Sequence, residues 1–258
     1  MPTGRIIGMA DVPDLELLAA RTWRGLEEER HGEWLLRAGG GFTGRANSVL
    51  VTGDPPTDLP TAVAAVTRWY AARGLRPRAQ VPVPGGEAAD EAFAAAGWTR
   101  DEDVLVLTAS LAGWPEPAVP VDLAPRPDEA WLTGYRYRGT PLPAVALDIL
   151  VAADDPVFAA VRTAPPPAPL AAVARGVVAD GWLVVTAVTV DEGSRRRGMG
   201  TAVMAALGSW ARERGGHSCL LQVASSNDGA LALYERLGFT EHHRYHYRLG
   251  PEPVRSPA

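Results

Sequence analysis

The residues of this chain best suited to chemistry are three consecutive arginines followed by two glycines, Arg195-Arg196-Arg197-Gly198-Met199-Gly200. Before them runs the apolar, β-branched stretch Thr186-Ala-Val188-Thr-Val190, which reads as a strand. After them, Thr201 opens a run whose apolar residues Val203, Leu207, Trp210 and Ala211 have helical spacing. A strand, a glycine-bearing turn and a helix N-terminus together present N–H groups without intrahelical partners at the positive end of the helix dipole, so the stretch predicts an anion site. Gly198 and Gly200 let the backbone come close to a ligand and take positive φ. The guanidinium groups add forked donors suited to phosphate. A solvated basic turn between a core strand and a core helix is the plainer alternative.

Two common phosphate motifs do not fit. A P-loop needs Lys-Ser/Thr after its glycines, and the chain contains no lysine. A dinucleotide fingerprint wants a small residue where Val203 stands and an acid about 20 residues on, where Ser218-Cys219-Leu220 stand.

Arg195-x-x-Gly198-x-Gly200 resembles the acyl-CoA-binding motif of the GNAT superfamily of N-acetyltransferases, Arg/Gln-x-x-Gly-x-Gly/Ala after a central strand. The second half of that family's pattern follows in register as Asn227-x-x-Ala230-x-x-x-Tyr234-x-x-x-Gly238-Phe239, and the resemblance covers about residues 120–250. It implies that acetyl-CoA is the co-substrate, with no metal. Its phosphates would be held by the backbone of Arg195, Arg196, Arg197, Gly198, Met199, Gly200 and Thr201. Its pantetheine arm would pair with the strand edge at Val188 and Val190 and bond to Asn227. It further implies direct attack by a small-molecule or protein amine on the thioester, an N–H near Val190 polarising the carbonyl, and Tyr234 as general acid for the leaving thiolate. A tyrosine with an ordinary pKa near 10 holds its proton at neutral pH and suits that role. Taken alone, Tyr234 reads as a helix residue packing against Leu231 and Leu237.

The general base stays open. The strand Trp182–Val190 carries no carboxylate; Glu192, Glu241, His243 or a water chain near Tyr135 and Tyr137 are the alternatives, while His242, His243 and His246 also read as strand residues facing water. Another acyl-CoA, an O-acceptor, or a non-enzymatic CoA-binding sensor or scaffold are the competing functions.

The elements that must position these residues occur twice. Gly238-Phe239-Thr240 lies 141 positions after Gly97-Trp98-Thr99, and the same shift places Trp210 on Trp69, Ala230 on Ala89 and Tyr234 on Phe93. The fold expected is α/β (α+β): two tandem GNAT-like folds, each a mixed, mostly antiparallel sheet flanked by helices. The division read is 1–110, a proline-bearing linker 111–120, 121–250 and a loose tail 251–258. In the first copy the arginine loop becomes Asp54-Pro-Pro-Thr-Asp-Leu59, Asn227 becomes Gly86 and Tyr234 becomes Phe93. Prolines remove donors and aspartates oppose an anion, so this copy is expected to be degenerate and non-catalytic.

In that copy, residues 15–29 read as a helix, and 33–38 with 42–52 as a hairpin whose turn is Gly39-Gly40-Gly41. Helix 61–73, strand 78–83, helix 87–96 and strand 101–109 follow. Trp23, Arg37, Arg45 and Asn47 either face an acceptor cleft or close a core. In the second copy strands are read at 121–124, 158–162, 170–179, 182–190, 218–224 and 239–249, with helices from Asp128 to Tyr135, at 144–153 and at 228–236.

The net charge of −5 over 258 residues argues against nucleic acid or an anionic membrane as partner. The lone Cys219 lies in an apolar run and reads as a core thiol; one cysteine precludes an internal disulfide and suits a reducing cytoplasm. No signal-peptide pattern or membrane-length apolar run is read.

Overall fold

A computed structural model describes residues 10–135, 139–165 and 168–252. In chain order the helix α1 (Val12–Thr22) is followed by β1 (Glu27–His31), β2 (Trp34–Ala38), β3 (Val49–Leu50), α2 (Leu59–Ala71), β4 (Arg78–Val83), α3 (Glu87–Ala95) and β5 (Thr99–Ser110). Then come β6 (Asp122–Ala124), α4 (Glu129–Gly134), α5 (Ala146–Val151), β7 (Val157–Val161), β8 (Ala172–Ala179) and β9 (Trp182–Val190). The chain ends through α6 (Met199–Arg212), β10 (Ser218–Ala224), α7 (Asp228–Arg236) and β11 (Thr240–Leu249).

Local chemistry sets many of these limits. Asp11, Asp58, Asp128 and Asn227 each accept from a backbone N–H of the first turn they precede, starting α1, α2, α4 and α7. Asp180 and Gly181, at φ 49° and 77°, form the tight β8–β9 turn that the Asp-Gly pair predicts. The repeat is also structural: subtracting 141 from the limits of α7 gives Glu87 and Ala95, the limits of α3.

The chain forms two units. One gathers the residues up to Glu102 with those from His243 onward; the other spans Asp103–His242. These limits differ from a division at residues 110 and 121. Each unit takes the last strand of the other half of the sequence: β5 pairs antiparallel with β10 from Val104–Ala224 to Ser110–Ser218, and β11 pairs antiparallel with β4 from Arg244–Val83 to Leu249–Arg78. The first unit's sheet runs β1-β2-β3-β4-β11 and the second unit's β5-β10-β9-β8-β7-β6. Both are antiparallel except at one pair each, β3–β4 and β9–β10, joined by α2 and α6 respectively. The mixed, mostly antiparallel α/β architecture expected from the sequence is present in both units.

In the first unit, Trp34, Val63, Val66, Tyr70, Phe93 and Trp98 form the core under α2 and α3. The Phe93 ring lies 5.8 Å from Trp34 and 4.6 Å from Trp98. In the second unit, Ala172, Leu183, Val185, Val203, Leu207, Trp210, Cys219, Leu221, Tyr234 and Phe239 share one core. Cys219 is fully buried there, and burial raises its thiol pKa well above the usual value, as a packing residue requires.

Three sequence expectations are corrected. Residues 27–29 belong to β1, not to the first helix: the run Glu27-Glu-Glu-Arg-His31 is exposed on an edge strand and carries no apolar alternation. The expected antiparallel pairing of 33–38 with 42–52 is present at Leu35–Leu50, but no tight glycine turn joins the strands. Gly39–Gly41 lie in a longer loop held by Asn47, whose Oδ1 accepts from the N–H of Gly39 and of Gly41, each at 2.8 Å, and the tight turn is Gly32-Glu33 between β1 and β2. His243 and His246 do not face water; they are 3% and 2% exposed. His243 Nε2 lies 2.9 Å from Glu16 Oε1, and His246 Nε2 lies 2.5 Å from Asp90 Oδ1. Tyr137, the proline-rich tip at 166–167 and the end of the chain from 253 lie outside the described residues.

Candidate functional site

The second unit's parallel pair opens partway along. β9 and β10 are in register from Trp182–Ser218 to Val185–Leu221, and there the pairing stops, although β9 continues to Val190. On its other side β9 stays paired with β8 as far as Val190–Ala172. Backbone groups of β9 beyond Val185 therefore face an opening, where an extended amide-bearing ligand can add as a strand.

A β-bulge controls which way this strand end faces. Arg175 pairs with Thr186 and Val173 with Thr189, so β9 has one residue more than β8 between these pairs. Ala187, in the bulge, has φ +56°. Before the bulge, Leu183 and Val185 point into the core beneath α6; after it, Val188 and Val190 do. The bulge thus switches the side-chain parity at the mouth of the opening.

Beyond Val190, Asp191 accepts from Gly193 N–H and starts a single 3₁₀ turn, Glu192–Ser194, with Ser194 buried. Arg195, Arg196 and Arg197 are exposed. Arg195 Nη2 lies 3.7 Å from Glu192 Oε1, a solvent-exposed pair worth little. Arg196 takes φ +59° and Gly198 φ +79° as the residue preceding α6. No side chain caps α6, and its first turn carries no acidic residue. Gly200 sits tight: a Cβ there would lie 2.9 Å from Leu233 Cδ2 and 3.3 Å from Val190 Cγ2. The end of β9, the start of α6 and α7 therefore meet at Gly200.

Asn227 and Tyr234 are carried by α7. Asn227 is exposed at its N-cap, and its Oδ1 accepts from Ala230 N–H at 3.2 Å, leaving the side-chain amide donors as the part suited to a ligand carbonyl. Tyr234 is 5% exposed, with its ring 5.5 Å from Phe239. Thus the packing role that residue spacing alone suggests is real.

Of the groups considered as a base, Glu192 and Glu241 are exposed in the second unit. Tyr135 is buried with its ring 5.6 Å from Trp131, and His243 is buried in the first unit. No carboxylate lies on β9. The bulge at Ala187 and the buried Arg175 opposite it have no signature in the sequence; alanine within Val185-Thr-Ala-Val188 carries no signal of positive φ.

The donor set fits an acyl-CoA. An open strand edge suits the amides of a pantetheine arm, and an uncapped helix N-terminus behind an αL glycine and three arginines suits a diphosphate. The corresponding place in the first unit is built otherwise. Asp58 Oδ1 accepts from Thr61 N–H at 3.0 Å and Oδ2 from Thr61 Oγ1 at 2.9 Å, so a carboxylate already fills the start of α2. Those bonds hold the Asp58 carboxyl below its usual pKa. A cavity of about 480 Å³ remains there, walled by Trp34, Asp54, Pro55, Pro56, Asp58 and Ala89 among others.

Fold and site together define a GNAT-type N-acetyltransferase. The chain belongs to the family described as "Probable histone acetyltransferase Rv0428c C-terminal", whose model matches residues 9–248. It is 31% identical over 252 residues to the probable histone acetyltransferase Rv0428c of Mycobacterium tuberculosis, covering 92% of this chain and 74% of that protein. It is 26% identical over 256 residues to the uncharacterized N-acetyltransferase YobR of Bacillus subtilis, covering 93% and 99%. Among solved structures, a GCN5-related N-acetyltransferase from Kribbella flavida superposes with TM-score 0.69 at 18% identity, covering 95% of this chain and 97% of that one. A tandem GNAT protein from the clavulanic acid pathway superposes with TM-score 0.60 at 16% identity, covering 95% and 89%. Among the described residues no helix is long and apolar enough to cross a membrane.

Proposed function

We propose that the unit spanning Asp103–His242 moves an acetyl group from acetyl-CoA to the nitrogen of an amine acceptor, and that the first unit is non-catalytic. The observation that carries this reading is the combination of a strand edge left open after Val185 with an uncapped, arginine-flanked start of α6.

The N–H groups of Arg196 to Thr201 hold the diphosphate, and Val188 and Val190 pair with the pantetheine amides, assisted by Asn227. The N–H near Val190 polarises the thioester carbonyl. As the acceptor nitrogen forms its C–N bond and the C–S bond breaks, Tyr234 gives its proton to the departing thiolate and the acceptor nitrogen loses one. An amine ordinarily protonated at neutral pH must be deprotonated before attack; either exposed glutamate, acting directly or through water, can accept that proton.

The acceptor is an amine of a small molecule or of a protein. One relative carries the name of a probable histone acetyltransferase, so a lysine-bearing histone-tail peptide belongs in the test panel beside small amines. The first unit is read as non-catalytic because Asp58 fills the start of α2 and Pro55 and Pro56 supply no N–H.

Titration calorimetry of the full chain with CoA tests the donor site. Wild type is expected to take up one CoA, and Gly198→Asp, which places an acid at the diphosphate where a Cβ meets open space, to abolish that uptake in folded protein. Undiminished uptake by this variant overturns the assignment. Thiol release from acetyl-CoA across the amine panel then identifies the acceptor class.

A further inference from the structure

Arg175 lies at the middle of β8 and is 0% exposed. Its neighbours Ala174 and Gly176 face α6: Ala174 is in the shared core, and a Cβ on Gly176 would lie 3.0 Å from Leu207 Cδ2. The Arg175 side chain therefore lies on the opposite face of the sheet. There its Nε donates to the carbonyl of Leu150 in α5 at 2.7 Å, and its Nη1 donates to Thr186 Oγ1 at 3.3 Å. Thr186 immediately precedes Ala187, whose φ of +56° is one that alanine adopts only where its surroundings impose it.

We propose that Arg175 is a positioning residue for the acyl-CoA donor: by tying Thr186 to α5 it holds the bulge in β9, and the bulge sets the strand end that pairs with the pantetheine arm. Thr186 is fixed on one face by the guanidinium, and Val188 and Val190 are fixed on the other by the core beneath α6. The backbone between them has to make the extra half-step at Ala187. Without the Arg175 tether, β9 can relax towards regular alternation, which turns Ala187 and Thr189 towards α6 and carries the backbone groups of Val188 and Val190 out of register. The guanidinium suits the role because its planar fork reaches a carbonyl and a hydroxyl at once, which an ammonium on a single flexible stem does not. The inference rests on the donor site proposed above.

The test uses the full chain, with CoA binding by calorimetry and thermal melts on each variant. Arg175→Lys and Arg175→Met are expected to fold and to bind CoA on the order of tenfold more weakly, as a small displacement of positioning groups does. Thr186→Val, which keeps the side-chain shape and deletes the acceptor, is expected to weaken binding severalfold. Adding Ala187→Gly to Arg175→Met should restore most of the affinity, because glycine takes positive φ without the Cβ clash. A purely stabilising role for Arg175 would lower the melting temperature and leave the affinity of the folded variants at the wild-type value. That result overturns the proposal, as does an affinity loss that Ala187→Gly does not relieve. If Arg175→Met does not fold, Thr186→Val decides, wild-type affinity in it counting against the tether. Absence of CoA uptake by the wild type overturns the donor site itself, a result distinct from all of these.

Discussion

At the residue scale, the two copies of the fold differ in what fills a helix N-terminus. Gly198 leaves α6 open; Asp58 closes α2 with its own carboxylate. Replacing Asp58 by Ala removes the cap and is expected to lower stability modestly. It should create no second CoA site, because Pro55 and Pro56 still lack N–H groups. Calorimetry of that variant should return a lower melting temperature and an unchanged stoichiometry of one, and a stoichiometry of two would show that the cap alone excludes the ligand. Tyr234 can be probed more finely. Its ring is part of the core beside Phe239, so Tyr234→Phe keeps the packing and deletes only the hydroxyl. If that hydroxyl protonates the leaving thiolate, turnover should fall by about 10²-fold with CoA affinity nearly unchanged; an unaltered kcat at saturating substrate would take Tyr234 out of the mechanism.

At the scale of elements, the sequence was most legible where local chemistry and periodicity agree. β4, β10 and α7 begin and end at the residues their patterns indicate, since each pairs an apolar repeat with a cap or a glycine stop. It was least legible where neighbours in space decide. β1 is a strand of charged residues, a hairpin partner to β2 whose sequence offers no alternation. The Arg195–Thr201 loop stands out as a candidate anion site because of its residue types, arginine and glycine; the bulge in the strand before it does not, because Ala187 is an ordinary residue in an unusual conformation. The histidines near the C-terminus differ from the sequence expectation for a related reason. Strand alternation cannot foresee that His246 and Arg248 both meet Asp90 on α3, with Arg248 Nε at 2.7 Å and Nη2 at 2.8 Å from its two oxygens. Those bonds, Arg248's first, hold the Asp90 pKa at about 2. A carboxylate depressed in the folded state stabilises fully above its unfolded pKa, near 3.8, and progressively less as pH falls towards 2. Urea midpoints measured from pH 5 to pH 2 should therefore drop more steeply for wild type than for Asp90→Asn, which is less stable at pH 5 and lacks this titration. Parallel slopes would mean that the Asp90 cluster contributes nothing to acid stability.

At the scale of the whole molecule, the repeat seen in the sequence is real in its elements, yet the units do not divide where the repeat does. Sequence periodicity reports which residues face a core; it does not report which sheet a strand joins. β5 closes the first copy in sequence, but its residues from Asp103 onward belong to the unit that carries the arginine loop. Leu107, Ala109 and Leu111 are buried with Leu221, Val223 and Phe239, and Leu105 packs against the same core. Burying a leucine side chain contributes roughly 1.5–3 kcal/mol, and a domain's net stability is only about 5–15 kcal/mol. Removing these two buried leucines, the partly buried Leu105, the buried Trp114 and the backbone partners of β10 should therefore exceed what the unit can lose. A fragment of residues 103–242 is expected to unfold cooperatively in urea, whereas residues 121–242, cut where the sequence repeat suggests a boundary, should give no cooperative transition and should aggregate through the bared edge of β10. Leu107→Asp in the full chain supplies the same test without truncation, since a charge buried at that position should disrupt the second unit's core. Cooperative folding of the shorter fragment would mean that β5 is dispensable to the unit it joins, and that the repeat boundary is the folding boundary after all.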